Sequence, residues 1–71
     1  MQLDRVRVIA EMASQRVSVK ELAERSGLSR ASITSVRGGK SCSTATGKSI
    51  AYALGVDIEE LLEKNKKEVV G

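Results

Sequence analysis

Residues 38–49 read GGKSCSTATGKS and carry the tripeptide Gly-Lys-Ser twice, at Gly39-Lys40-Ser41 and Gly47-Lys48-Ser49. Glycine, lysine and a hydroxyl are the parts of a phosphate cradle: open backbone amides, a cation and a small donor. A nucleotide-binding loop of the Walker type also needs a glycine separated from the tripeptide by four residues, between a strand and a helix. Thr34 and Cys42 occupy those two places, and neither follows a strand-like stretch. The first tripeptide is therefore read as a contact for some other phosphate, and the second as a coincidence inside a helix.

Other chemistry lacks its parts. Histidine is absent and Cys42 is the only cysteine, which leaves acyl transfer without a base and zinc without ligands. We expect no enzymatic activity, no metal and no cofactor. A lone reduced cysteine is more often incidental than catalytic, and it fits the reducing cytoplasm.

The elements that would position such a contact must be helices. Over 71 residues there is one tyrosine, no other aromatic and no proline, so the core falls to Ile, Leu, Val and Ala. One domain is expected, with no alternation long enough for a sheet and no apolar run long enough for a membrane span or signal peptide. Residues 1–40 hold eight Lys/Arg and four acids, a net +4, whereas residues 41–71 carry −1. A basic front half is compatible with a polyanionic partner.

Three helix starts share one pattern. Ser18 with Glu21, and Asp57 with Glu60, are spaced as capping boxes, each flanked by a hydrophobic staple (Val17 with Leu22, Val56 with Leu61). At Ser29 the cap recurs, but Ser32 stands where the glutamate would be. The middle helix thus starts without an acid at its positive end, which leaves that end able to approach phosphate. The spacing predicts helices over residues 3–14, 19–26, 30–37, 44–54 and 58–65. The first would turn Leu3, Val6, Ile9, Ala10 and Ala13 to one side. Gly27, Gly38-Gly39 and Gly55 supply stops. Residues 1–65 form the domain and 66–71 a tail.

Helices two and three are separated by Gly27-Leu28-Ser29 alone, with Leu22, Ala23, Leu28, Ile33 and Val36 as the apolar positions that lock them together. That is a helix-turn-helix. Residues 18–62 resemble the phage-repressor/Cro-like helix-turn-helix family of the xenobiotic-response-element type. The matching pieces are Glu21-Leu22-Ala23, Gly27, Leu28-Ser29-Arg30, Ile33, Gly39-Lys40, Ile50-Ala51, Leu54-Gly55-Val56 and Leu61-Leu62. The resemblance implies an all-α, five-helix, lambda-repressor-like domain. It also implies sequence-specific binding of double-stranded DNA in transcription regulation, repressor-like and as a homodimer on two half-sites.

Helix three would be the reading helix. With Ile33 inward and 100° per residue, Ala31 and Ser35 point outward, Ser32 and Thr34 flank them, and Arg30 lies near the front. Arg30, Ala31, Thr34 and Ser35 match the family's base-contacting positions, and Arg30 is the candidate for a two-pronged contact to guanine. Phosphate contacts are assigned to Ser18, Lys20, Ser29, Ser32, Gly39, Lys40, Ser41, Ser43 and Thr44. Free amides after the third helix would contribute alongside these side chains.

The chain departs from the family at four positions. Val19 replaces a phosphate-touching glutamine, and Arg37 replaces a glutamate that pairs with helix one; Glu11, or the face beside Met12, is offered as its inverted partner. Thr44 and Gly47 replace apolar residues of helix four. Gly47 either weakens that helix by about 1 kcal/mol or permits the close approach of another helix or of the DNA backbone. Tyr52 is expected to pack against helix one or five, or, if exposed, to serve a dimer. Val19 and Arg37 keep open an alternative: a helix-turn-helix module that modulates a partner repressor and leaves DNA alone.

Overall fold

Short polar side chains set where the helices begin. In the computed structural model, which describes residues 1–62, five helices follow one another: α1 (Arg5–Gln15), α2 (Val19–Ser26), α3 (Arg30–Arg37), α4 (Thr44–Leu54) and α5 (Ile58–Leu61). Asp4 caps α1 by accepting the Val6 amide at 3.0 Å. Ser18 accepts the Glu21 amide at 3.1 Å while the Glu21 carboxylate accepts the Ser18 amide at 3.4 Å, so the capping box of α2 is formed. Ser29 and Ser43 cap α3 and α4 in the same way, each accepting an amide at 3.1 Å. Each such cap contributes about 1 kcal/mol, a large share for a domain this small.

The middle three helices occupy the expected residues, and the outer two do not. Asp57 stands at the N-cap of α5 but makes no side-chain cap bond, so the box expected with Glu60 is absent. Glu60 is turned instead toward Arg7 of α1, 3.9 Å away. α5 stops at Leu61, and residues 63–65 of the expected helix lie outside the described residues. Leu62 is extended and pairs with Leu3 in an isolated antiparallel bridge, and the Asp4 amide donates to the Leu61 carbonyl at 2.6 Å. The expected tail, residues 66–71, lies outside the described residues.

This bridge also corrects the face of α1. Leu3 is buried from an extended segment before the helix, so it does not set the helical phase. Val8 and Met12, four residues apart on one stripe, are the buried residues of α1, while Val6 is 63% exposed and Ala10 and Ala13 face out. α1 packs against α3, α4 and α5, and α2 packs against α3 and α4. Leu22, Ile33, Ile50 and Leu61, one from each of α2 to α5, are fully excluded from solvent at the centre. Each contributes about 1.5–3 kcal/mol of burial.

Two further expectations are decided by packing. Tyr52 does not pack against α1 or α5; it is 86% exposed. Gly47 is a point of close approach: a Cβ there would collide with the Met1 sulfur and stand 3.4 Å from Ile58 Cδ1. The space it leaves admits the first residue of the chain. Among the described residues, no helix is long and apolar enough to cross a membrane.

Candidate nucleic-acid interface

The turn between α2 and α3 is held by short-range bonds that its sequence dictates. Gly27 closes α2 at φ +76°, a left-handed conformation that costs glycine little, and its amide donates to the Ala23 carbonyl at 2.9 Å. The Leu28 amide donates to the same carbonyl at 3.1 Å, while its side chain packs on the core. Ser29 then starts α3 at once. Its hydroxyl lies 3.0 Å from that of Ser32, so two serines close the front of this helix without an acid.

With Ile33 and Val36 buried, α3 turns Arg30, Ala31 and Thr34 to solvent. These three of the four base-contact candidates share one exposed surface. Ser35 is set apart from them. It is half-buried and lines a cavity of 220 Å³ with Ser32, Val36, Ser41, Cys42, Ser43 and Thr46. The cause is the chain after α3: the Lys40 amide donates back to the Ser35 carbonyl at 3.0 Å, folding that segment along one flank of the helix.

The phosphate candidates fall into three groups. Ser41, Ser43 and Thr44 stand with Ser32 around the front of α4, where Ser43 donates to the Thr46 hydroxyl at 3.0 Å as well as capping the helix. Lys20 and Arg30 line a second cavity, of 280 Å³, together with Ala23, Leu28 and the carboxylate-bearing Glu24. Ser18 and Ser29 are exposed caps whose oxygens already accept amides; the Ser18 hydroxyl proton is left to donate outward, while the Ser29 hydroxyl is shared with Ser32.

Four of the amides expected to be free after α3 are engaged. Gly38 donates to Thr34, Gly39 to Val36 at 3.0 Å, Lys40 to Ser35, and Cys42 to Met1. Gly39, assigned to phosphate, therefore has no amide to offer, and its carbonyl accepts the Gln2 side-chain amide at 2.6 Å. Its role is conformational, since φ there is +93°. Lys40 remains exposed, and its side chain is what that segment presents.

Arg37 also differs from expectation. Glu11 accepts from Gln15 at 3.3 Å and forms no ion pair with Arg37, whose Nε is buried without a partner among the described residues. Val19 is half-buried and packs on the core, which accounts for an apolar residue at the front of α2. The ion pairs among the described residues are Arg7–Glu60 and Arg25–Glu21, both about half-exposed and worth little. Arg5, Lys20, Arg30 and Lys40 belong to neither, so these cations keep their charge for a ligand.

One feature had no signal in the sequence. Met1 and Cys42 exchange backbone hydrogen bonds, and Gln2 and Arg5 meet Gly39. These partners stand far apart in the sequence, 37 residues for Gln2 and Gly39 and 41 for Met1 and Cys42, and no local pattern reports the pairing.

Two solved structures share the fold. One, named as a hydroxyethylphosphonate dioxygenase Y98F mutant, matches with a TM-score of 0.81 at 19% identity over 97% of this chain. The other is an enzyme abbreviated HEPD from Streptomyces albus, named as bound to 2-hydroxyethylphosphonate and Fe(II). It matches with a TM-score of 0.81 at 27% identity over 92% of this chain. This chain spans 15% of the length of either, so the likeness concerns a small helical part of a larger protein. No curated protein matches. A family model described as Cro/C1-type HTH DNA-binding domain matches residues 7–67, which include the capped turn, the acid-free α3 and the basic side chains around it. The chain belongs to the Cro/C1-type helix-turn-helix DNA-binding domain family.

Proposed function

We propose that the chain is a repressor-like transcriptional regulator of the cytoplasm that reads double-stranded DNA by laying α3 in the major groove. The observation that carries this is the outward face of α3: Arg30, Ala31 and Thr34 together, with no acid in the first turn. Arg30 offers a paired contact to guanine, worth about 1–3 kcal/mol of discrimination, and Ala31 and the Thr34 methyl suit thymine methyl groups. Ser35 reaches a base edge only from the flank. Lys20, Lys40 and the hydroxyls of Ser18, Ser29, Ser32, Ser41, Ser43 and Thr44 hold backbone phosphates and set the register.

A homodimer would set two copies of α3 about 34 Å apart, one helical turn of DNA. The domain carries no catalysis in this account. Selection of bound sites from random double-stranded DNA tests it: a recurring sequence with two related halves is expected, and recovery of no preferred sequence would refute it.

A second reading is that the domain binds a partner regulator and does not contact DNA. The 86% exposure of Tyr52 supports it, as does the occurrence of this fold within a solved chain named as a dioxygenase. A domain that failed the selection yet bound a repressor through Tyr52 would favour this second reading.

A further inference from the structure

We propose that Arg5, at the start of α1, is a DNA phosphate contact that works as a unit with Lys40; this rests on the DNA-binding reading above. Nothing in the helix-turn-helix pattern points to Arg5. Its assignment comes from where the first five residues are tied.

The Gln2 side-chain amide donates to the Gly39 carbonyl at 2.6 Å, and the Cys42 amide donates to the Met1 carbonyl at 2.8 Å. These bonds fix the N-terminal segment against the chain that leaves α3. The Arg5 stem then lies across Gly39, with its Cδ 3.4 Å from where a Cβ would stand. Lys40 is the next residue. Two exposed cations far apart in the sequence are thus brought to the C-terminal end of the reading helix.

Between the two segments is a cavity of 380 Å³ bounded by Gln2, Leu3, Asp4, Arg5, Val6 and the Gly38-Gly39 pair. Asp4 is the one acid on its wall, and its carboxylate is engaged by the Val6 amide at 3.0 Å. Arg5 itself is in no ion pair among the described residues. A stem already laid against backbone loses less freedom on binding, and a guanidinium can grip two phosphate oxygens where an ammonium grips one. A merely packed stem with a solvated head would share this geometry, so the charge must be tested directly.

The test is fluorescence anisotropy of the full chain with its selected DNA and with a scrambled duplex, across a salt series. Arg5→Ala is expected to lower the magnitude of the slope of log K against log salt by about 0.9 for each Arg5 in the complex, about 1.8 for a dimer on two half-sites, and to weaken both duplexes equally. Arg5→Lys should keep the slope. Lys48→Ala, which removes an exposed cation elsewhere, should also leave it unchanged. A wild-type slope in Arg5→Ala, or an equal drop in Lys48→Ala, would overturn the assignment while leaving DNA binding intact. Absence of salt-dependent binding by the unaltered chain would instead overturn the function on which it rests. Thermal unfolding of each variant checks that the fold survives.

Discussion

The Ser29 hydroxyl accepts the Ser32 amide at 3.1 Å, and the two hydroxyls lie 3.0 Å apart, so α3 is capped by a neutral pair. In α2 the same geometry is completed by Glu21. The contrast within one chain separates what suits stability from what suits an anionic ligand. A glutamate at Ser32 would complete the box and complement the helix dipole, for a gain of about 0.3–1 kcal/mol. It would also set a negative charge against the phosphates. Ser32→Glu is expected to raise the melting temperature while weakening DNA binding at least about tenfold. Calorimetry and anisotropy on the same sample check the opposed signs; movement of both in the same direction would count against the assigned interface.

Gly39 is held at φ +93° and has the Arg5 stem across its open face. Gly39→Ala therefore strains the backbone and crowds Arg5 at once. A loss of about 1–3 kcal/mol is expected in urea unfolding, because this φ is costly for any side chain. A neutral result would mean that the turn after α3 can relax without cost.

Arg16 ends α1 at φ 56°, the left-handed region, without being glycine. Left-handed backbone costs an ordinary residue about 1–2 kcal/mol, partly offset by the greater entropy glycine loses on folding. Arg16→Gly is expected to stabilise the domain by about 0.5–1 kcal/mol, read as a higher urea midpoint at unchanged slope. A lower midpoint would show that the Arg16 side chain contributes more than its strained backbone costs.

What the sequence reveals follows the range of the interaction. The turn of Gly27, Leu28 and Ser29 and the caps of α2, α3 and α4 rest on bonds spanning two to five residues, and their residue types announce them. Burial of Ile33 and Val36, with Arg30, Ala31 and Thr34 outside, follows from the helical period. The errors lie where distant segments meet. Leu3 leaves the helix to pair with Leu62, which shifts the buried face of α1 to Val8 and Met12. Arg7 takes Glu60 from its expected cap, and Met1 fills the notch at Gly47. The amides of residues 38, 39, 40 and 42 looked available because a sequence does not show the backward bonds to Thr34, Ser35 and Val36, or the bond to Met1. Gly39-Lys40-Ser41 keeps a phosphate role through its lysine and serine side chains rather than its glycine amide.

Arg30 carries the central claim, being the one long cationic side chain on the outward face of α3. The most direct measurement is the ratio of affinities for the selected site and a scrambled duplex at fixed salt, for the unaltered chain and for Arg30→Ala. A paired contact to guanine is worth about 1–3 kcal/mol, so the ratio should fall by about 5- to 150-fold for each half-site read, mostly through weaker binding of the selected site. An unchanged ratio, with both duplexes weakened alike, would make Arg30 a phosphate contact and contradict the account of how α3 reads sequence.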